Sequence, residues 1–115
     1  MKVIYLSNLP FTDCDFPLIR EMQLKGIDVY YFLLISPSSY KCALLDIKQF
    51  YNKNGIFKAV DVYPEFKIYR DYFNLDNVFV INYTKNSGVS LKNISLTFKM
   101  VRTFMKLHPD VINIT

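Results

Sequence analysis

The sequence is poor in the side chains that build metal and redox centres. Its 115 residues include two cysteines and one histidine. Cys14 and Cys42 form no C-x-x-C pair, and His108 is the only histidine that could join them in a ligand set. A structural zinc site needs four such ligands, and a redox motif places two cysteines close together. We therefore expect reduced thiols, no metal ligands and no cofactor.

Long hydrophobic runs are also absent. The longest, residues 29–35, is far shorter than the roughly 20 apolar residues that a membrane-spanning helix needs. Residues 1–2 lead directly into a strand pattern, whereas a secretory signal has a basic segment followed by a longer apolar one. Hydrophobic residues still make up 51% of the chain, enough for one core. The sequence thus predicts a soluble, cytoplasmic protein with a single domain over residues 1–115.

Short apolar runs at both ends of the chain have the pattern of buried strands. Residues 2–7 and 29–35 are too short for helices and lack polar alternation, which is typical of strands buried on both faces. Residues 15–25 between them have apolar side chains at helical spacing, so the two strands should be parallel and joined by a right-handed crossover. Residues 110–115 form a similar run after a second helix. The chain should therefore end on another strand of the same sheet.

Residues typical of helix ends flank the two longer predicted helices. Asp15 is expected to be the N-cap of the first helix, with Pro17 in its first turn and Gly26 in a left-handed conformation after its last. Ser90 is expected to cap the second helix in the same way. His108 comes at the end of that helix, where a donor or cation stabilises the last carbonyl groups.

The middle of the chain has weaker periodicity. The pattern predicts a helix over residues 40–52, a strand over 57–63, a short helix over 66–73, a strand over 78–83 and a helix over 91–107. Strands that are apolar on both faces need helices on each side of the sheet. We therefore predict an α/β fold, a three-layer Rossmann-like sandwich with a mainly parallel sheet. Its first strand should be central, with the strands that begin at Val29 and Val111 beside it.

The loop after the first strand lacks the glycines of a dinucleotide site, and its acids would repel phosphate. Carboxylates and amides instead suit a hydroxyl-rich ligand. Loops that follow parallel strands meet at one edge of the sheet, where ligands bind. We therefore predict a substrate-binding cluster at this edge, although Asn8 is also explained by turn chemistry. The cluster consists of Asn8, Asp13, Ser36 and Thr115.

The helix over residues 91–107 has basic side chains on one face and no acidic residue. The predicted basic face consists of Lys92, Lys99, Arg102 and Lys106. A separate stripe, predicted to be buried, consists of Ile94, Phe98, Val101 and Met105. A basic amphipathic helix can dock on an anionic membrane, and the alternative is a solvated outer face. Nucleic-acid binding is not expected, because the aromatic side chains follow core spacing and do not gather with the basic ones.

Three segments resemble a known family. The opening KVIYLSN, the unit PLIREMQLKGIDVYYF and the closing HPDVINIT are similar to the N-terminal half of family-4-type glycosyltransferases of the GT-B architecture. The resemblance implies a retaining, metal-independent transferase in which this half binds a sugar or lipid-linked acceptor. The nucleotide-sugar donor would bind a C-terminal half that carries an E-x7-E pair, which this chain lacks. The chain alone is therefore expected to be inactive and to self-associate through its sheet edge.

The chain departs from the family pattern at two places. Many members end the last strand in H-x-H, where this chain has Asn113 and Thr115, so no catalytic residue is assigned. The first loop also lacks the usual glycines.

An acceptor that is lipid-linked would place the protein at the inner face of the membrane. The alternative is a small α/β binding or signalling module without catalytic activity, although a receiver-type module would need an Asp at the end of residues 78–83.

Overall fold

The computed structural model describes residues 1–9, 12–41, 45–84 and 91–114, without the side chains of residues 12, 13, 91 and 92. The strands of this part are β1 (Lys2–Asn8), β2 (Asp28–Ile35), β3 (Gly55–Lys58), β4 (Val78–Asn82) and β5 (Val111–Ile114). The helices are α1 (Thr12–Leu24), α2 (Ala59–Val62) and α3 (Leu91–Leu107), with 3-10 helices at Pro64–Tyr69 and Leu75–Asn77.

The strands form one sheet in the order β3-β4-β2-β1-β5. Strands β1, β2, β4 and β5 are parallel, and β3 alone runs antiparallel, beside β4. Val3 of β1 is opposite Val29 of β2 on one side and Val111 of β5 on the other. The prediction of an α/β fold with a mainly parallel sheet is therefore confirmed, as are the two neighbours of the first strand.

The strands bury apolar side chains on both faces. Tyr5 and Tyr31 belong to a cluster that includes Phe16 and Ile19 of α1. Their neighbours in sequence belong to a second cluster, which includes side chains of α3. The members of the second cluster are Ile4, Leu6, Phe32, Ile81, Leu96 and Phe104. Because successive side chains of a strand point to opposite faces, the two clusters lie on opposite sides of the sheet.

The prediction that the last strand is buried on both faces is wrong. All four residues of β5 are exposed, with Val111 at 46% and Ile114 at 70% exposure. β5 lies at the end of the strand order and pairs with β1 on one side. An apolar run indicates a strand, but its burial depends on the elements that cover it. In the described residues nothing covers this one.

The first helix begins earlier than predicted, at Thr12, so Pro17 lies inside it and Asp15 is not its N-cap. Asp15 is instead buried, with 2% exposure. Its carboxylate accepts hydrogen bonds from the hydroxyl of Tyr5 at 3.0 Å and from that of Tyr31 at 3.3 Å. The acid therefore faces the sheet, where hydroxyl donors from β1 and β2 stabilise it. Gly26 follows the helix with a φ of 82°, in the predicted left-handed conformation.

The predicted helix over residues 40–52 is wrong where the structure describes it. Residues 45–54 have no helix, and residues 42–44 lie outside the described part. Leu45 and Ile47 are buried whereas Asp46 and Lys48 are exposed, an alternation that is typical of extended chain. The predicted strand over residues 57–63 ends at Lys58 and gives way to α2. The predicted short helix over residues 66–73 is a 3-10 helix at Pro64–Tyr69.

Helix α3 has the predicted bounds, but the side that it buries was predicted wrongly. Its inward side chains are Leu96 and Phe104, with Met100 and Leu107 partly buried. The predicted stripe is exposed, at 40% for Ile94, 67% for Phe98, 46% for Val101 and 69% for Met105. The helix carries two apolar stripes of similar strength, and its sequence does not indicate which one meets the sheet. The predicted cap Ser90 lies outside the described residues.

The end of α3 is tied to the start of β1. His108 follows the helix with a φ of 49°, and its N–H donates to the carbonyl of Met105 at 3.2 Å. The Lys2 ammonium donates to the carbonyl of Leu107 at 2.8 Å, and the Lys2 N–H donates to the Asp110 carboxylate at 2.7 Å. These bonds fix where β5 begins beside β1.

Among the helices of the described residues, none has the length and apolar character needed to cross a bilayer.

We expect Asp15→Ala to lower the free energy of unfolding by on the order of 2 kcal/mol, because two buried hydroxyls lose an acceptor. The measurement is urea denaturation followed by circular dichroism. Asp61→Ala removes an exposed carboxylate and should change the stability by less than about 0.5 kcal/mol. The cost of Asp15→Ala should be smaller in a Tyr5→Phe background, since the two groups interact directly. Equal stabilities of Asp15→Ala and Asp61→Ala would contradict the buried role of Asp15.

Candidate functional site

A cleft of about 410 Å³ opens at the carboxyl edge of the parallel strands. Asn8 lies at the end of β1, Ser36 directly follows β2, and Tyr83 directly follows β4. Helix α3 forms another wall with Asn93, Thr97 and Met100, and the remaining lining residues are Leu34, Ile35 and Ser39. The volume is within the range of small-molecule sites, and the carboxyl edge is where open α/β sheets bind ligands.

The hydroxyl groups of the cleft are held by short hydrogen bonds. The Ser36 N–H donates to the Ser39 hydroxyl at 3.0 Å, and the two serine hydroxyls are 2.9 Å apart. The Thr97 hydroxyl donates to the carbonyl of Asn93 at 2.9 Å and lies 3.1 Å from the Tyr83 hydroxyl. Because Thr97 uses its only proton on that carbonyl, the Tyr83 hydroxyl donates to Thr97. The lone pairs of Tyr83 therefore remain acceptors for a ligand.

The cleft carries no formal charge among its described lining residues, which are apolar, hydroxyl or amide side chains. Amides and hydroxyls can both donate and accept hydrogen bonds, so they match the alternating donors and acceptors of a polyol. In the described residues no group of three or more histidine, cysteine or acidic side chains could hold a metal ion. The arrangement is suited to binding a neutral hydroxylated molecule, and its described lining residues include no nucleophile with a neighbouring base.

The structure brings together two of the four predicted substrate-binding residues. Asn8 and Ser36 line the same cleft although 28 positions separate them in sequence. Asp13 lies in α1, but its side chain lies outside the described part, as does the whole of Thr115. Their predicted roles therefore remain predictions.

Sequence reasoning missed four polar residues of the cleft, Ser39, Tyr83, Asn93 and Thr97. The signal for the last two was a polar pair four positions apart on α3, on the same side as Leu96 and Met100. It could not be used because the side of α3 that meets the sheet was predicted wrongly. Tyr83 was recognised as the end of a strand whose following loop lies at this edge, but its side chain was not named as a site residue.

A larger cavity of about 790 Å³ is lined by another side of α3. It lies between that helix and the antiparallel pair of β3 and β4. Two lysines and no acid line it in the described part of the chain. The lining residues are Asn52, Lys53, Asn54, Gly55, Thr84, Ser95, Leu96 and Lys99. Lys99 was predicted to lie at a membrane surface, and here it lies beside a polar cavity.

A buried amide holds the segment before β3 at the wall of this cavity. Asn82 has no exposed surface, and its amide donates to the carbonyls of Tyr51 at 2.5 Å and Lys53 at 2.8 Å. Its carbonyl accepts the hydroxyl proton of Tyr63 at 2.5 Å. The next residue of that wall, Asn54, accepts from the N–H and the hydroxyl of Thr84 at 2.7 and 2.6 Å. Residues 51–54 thus adopt a defined course without any regular element.

Burial raises the pKa of Tyr63, because the phenolate would lose its hydration. The N–H of Tyr51, 3.2 Å from the Tyr63 oxygen, lowers the pKa in part, and the negative charge of Glu65 raises it further. The hydroxyl that donates to Asn82 therefore keeps its proton to a higher pH than a free tyrosine does.

The predicted basic face lies on the outside of the molecule. Lys99, Arg102 and Lys106 are exposed on α3, and the side chain of Lys92 lies outside the described part. These positions remain a predicted membrane surface.

Comparisons with known proteins identify no relative of this chain. No protein-family model matches it, no curated protein matches it, and no solved structure matches it.

We expect stability to fall with pH above about 10, the pKa of a free tyrosine, because the unfolded chain then releases the Tyr63 proton while the folded chain keeps it. Below that pH the contribution of Tyr63 to stability is fully present. Urea denaturation at pH 9 and at about pH 11 measures the change. Tyr63→Phe should reduce this loss of stability between the two pH values, and Tyr72→Phe is the control for removing a less buried hydroxyl. Equal pH dependence in the wild type and Tyr63→Phe would contradict the assignment.

Proposed function

We propose that this chain is the acceptor-binding domain of a retaining glycosyltransferase that transfers a sugar from a nucleotide sugar to a sugar or lipid-linked acceptor. The observation that carries the proposal is the cleft at the carboxyl edge of the sheet, whose described lining consists of hydroxyl, amide and apolar side chains without charge. Such groups exchange hydrogen bonds with sugar hydroxyls, whereas a nucleotide site needs a phosphate cradle. The resemblance of three segments to family-4-type glycosyltransferases points to the same class.

The proposal also includes the layers of the fold and a second domain that would face this one. The two apolar clusters support a three-layer Rossmann-like sandwich, with α1 against one face of the sheet and α3 against the other. In a GT-B enzyme a second domain of this kind would face the carboxyl edge and hold the donor. The open edge of β5, whose residues are all exposed, is a surface on which a second copy or a partner domain could pair. We place the protein in the cytoplasm, at the inner face of the membrane.

The cleft should bind neutral oligosaccharides through Asn8 and through the Tyr83 hydroxyl, which Thr97 orients. Thr97→Val keeps the shape of the side chain and removes its hydroxyl, so the dissociation constant should rise by roughly fivefold, the equivalent of one hydrogen bond. Asn8→Ala should have a similar effect. Saturation-transfer NMR with a panel of neutral disaccharides and sugar alcohols measures the binding.

A matched control is available on the same helix. The Thr103 hydroxyl donates to the carbonyl four residues earlier at 2.8 Å, as Thr97 does at 2.9 Å, but Thr103 does not line the cleft. Thr103→Val should therefore leave the dissociation constant unchanged. If Thr97→Val and Thr103→Val bind the sugars equally well, the cleft is not the acceptor site.

The chain of residues 1–115 should transfer no sugar by itself. Transfer needs the donor and acceptor held across a cleft from one another, and this chain supplies the acceptor wall only. The assay is incubation of the purified chain with each common nucleotide sugar and a disaccharide acceptor, followed by mass spectrometry of the products. Detection of a lengthened saccharide would contradict the proposal that the donor and the acceptor bind to separate domains.

A further inference from the structure

The outer face of α3 carries large apolar side chains that the fold leaves in solvent. Phe98 and Met105 are 67% and 69% exposed, and Ile94 and Val101 are 40% and 46% exposed. At about 100° per residue these four lie within one narrow sector of the helix. Exposed apolar side chains are ordinary when scattered, but a contiguous stripe on one helix indicates a binding surface.

A band of cations lies directly beside the stripe. Lys99, Arg102 and Lys106 are exposed and occupy the adjacent sector of the helix surface. The sequence of α3, Leu91–Leu107, contains no aspartate or glutamate, so no carboxylate of the helix offsets these charges. The outer face therefore combines an apolar stripe with positive charge, and it repels other cationic surfaces.

The sheet has further exposed apolar side chains on the side that α3 covers. Lys99 and Ser95 line a cavity together with residues of the β3 and β4 side, so the basic band lies toward β4 and the apolar stripe lies toward β5. Ile112 and Ile114 are opposite Ile4 and Leu6, which belong to the cluster beneath α3. They therefore lie on the same side of the sheet as the helix, with exposures of 48% and 70%. The stripe and the isoleucines of β5 are therefore exposed on the same side of the sheet.

We propose that this surface docks on an anionic membrane, with Phe98 and Met105 inserted among the lipid head groups and the cations paired with lipid phosphates. The charge is complementary to an anionic bilayer, and the apolar side chains have a place between the head groups. A nucleic acid would pair with the cations but would leave Ile94, Val101 and Met105 in water. A second copy would cover the apolar stripe but would bring two basic bands together.

The inference extends the proposed function, because a lipid-linked acceptor would be reached from a docked enzyme. It has its own readout, which is vesicle binding and does not require a sugar. Failure of vesicle binding would leave the acceptor cleft standing, and failure of sugar binding would leave the docking surface standing.

The test uses sedimentation with vesicles made of equal parts of phosphatidylcholine and phosphatidylglycerol, and with vesicles of phosphatidylcholine alone. We expect binding to the anionic vesicles that weakens with salt. Lys99→Gln with Lys106→Gln should weaken it by roughly fivefold for each charge removed. The matched control, Lys58→Gln with Lys67→Gln, removes two exposed charges elsewhere and should bind as the wild type does.

Insertion is tested with apolar variants that leave the core intact. Phe98→Ser with Met105→Ser should weaken binding by tenfold or more at constant charge, since each side chain buries apolar area in the membrane. Ile68→Ser with Leu24→Ser is the matched control, because these side chains are 72% and 68% exposed on other surfaces. Equal binding of the two pairs would overturn the proposal.

Because the chain contains no tryptophan, a single introduced tryptophan can report how deeply α3 enters the bilayer. Phe98→Trp introduces a single reporter, whose emission should shift to the blue on anionic vesicles and be quenched by brominated lipids. Ile68→Trp should show neither effect. Three results would overturn the proposal. The first is no vesicle binding at low salt, and the second is a dimer in sedimentation equilibrium that Phe98→Ser with Met105→Ser dissociates. The third is that the lysine variants lose vesicle binding and single-stranded DNA binding equally, while the apolar variants lose neither.

Discussion

The structure depends on the burial of the central strands on both faces. Phe32 of β2 has 1% exposure on one face, and Tyr31, the residue before it, has none on the other. Side chains of this size can be removed from water on both faces only if apolar elements cover both, which α1 and α3 do in part. The polar groups that a ligand could reach are consequently displaced to the ends of the strands. The cleft lies there because both faces of the central strands are used for the core.

Two polar side chains inside this core are tolerated because tyrosine hydroxyls satisfy them. Asp15 accepts from Tyr5 and Tyr31, and Asn82 accepts from Tyr63. An unsatisfied buried group costs on the order of 1–3 kcal/mol, so each pairing favours one arrangement of its elements over alternatives. The Asp15 bonds fix α1 against β1 and β2. The Asn82 bonds fix the irregular segment before β3, which no backbone ladder holds.

The sequence correctly predicted the elements whose residue pattern is typical of one kind of secondary structure. The runs in β1, β2 and β4 were recognised because each is apolar, too short for a helix and bounded by turn residues, which is typical of a buried strand. Topology then placed Asn8 and Ser36 at one edge, and both line the cleft. The same reasoning gave Asp15 a capping role, because an acid near a proline also marks a helix start. Its true position depends on tyrosines from two strands, which no local pattern reveals.

The error on α3 has a cause that also accounts for the most distinctive surface of the molecule. The pattern of α3 contains two apolar stripes, and only one can pack on Ile4 and Phe32. Because Leu96 and Phe104 face the sheet, Asn93 and Thr97 lie at the cleft. Phe98 and Met105 then remain on the outside of the molecule. A single helix orientation therefore sets both the polar lining of the site and the apolar outer face. If the outer face docks on a bilayer and the cleft holds an acceptor, both are positioned by one rigid helix, and their relative orientation cannot change without unpacking the core.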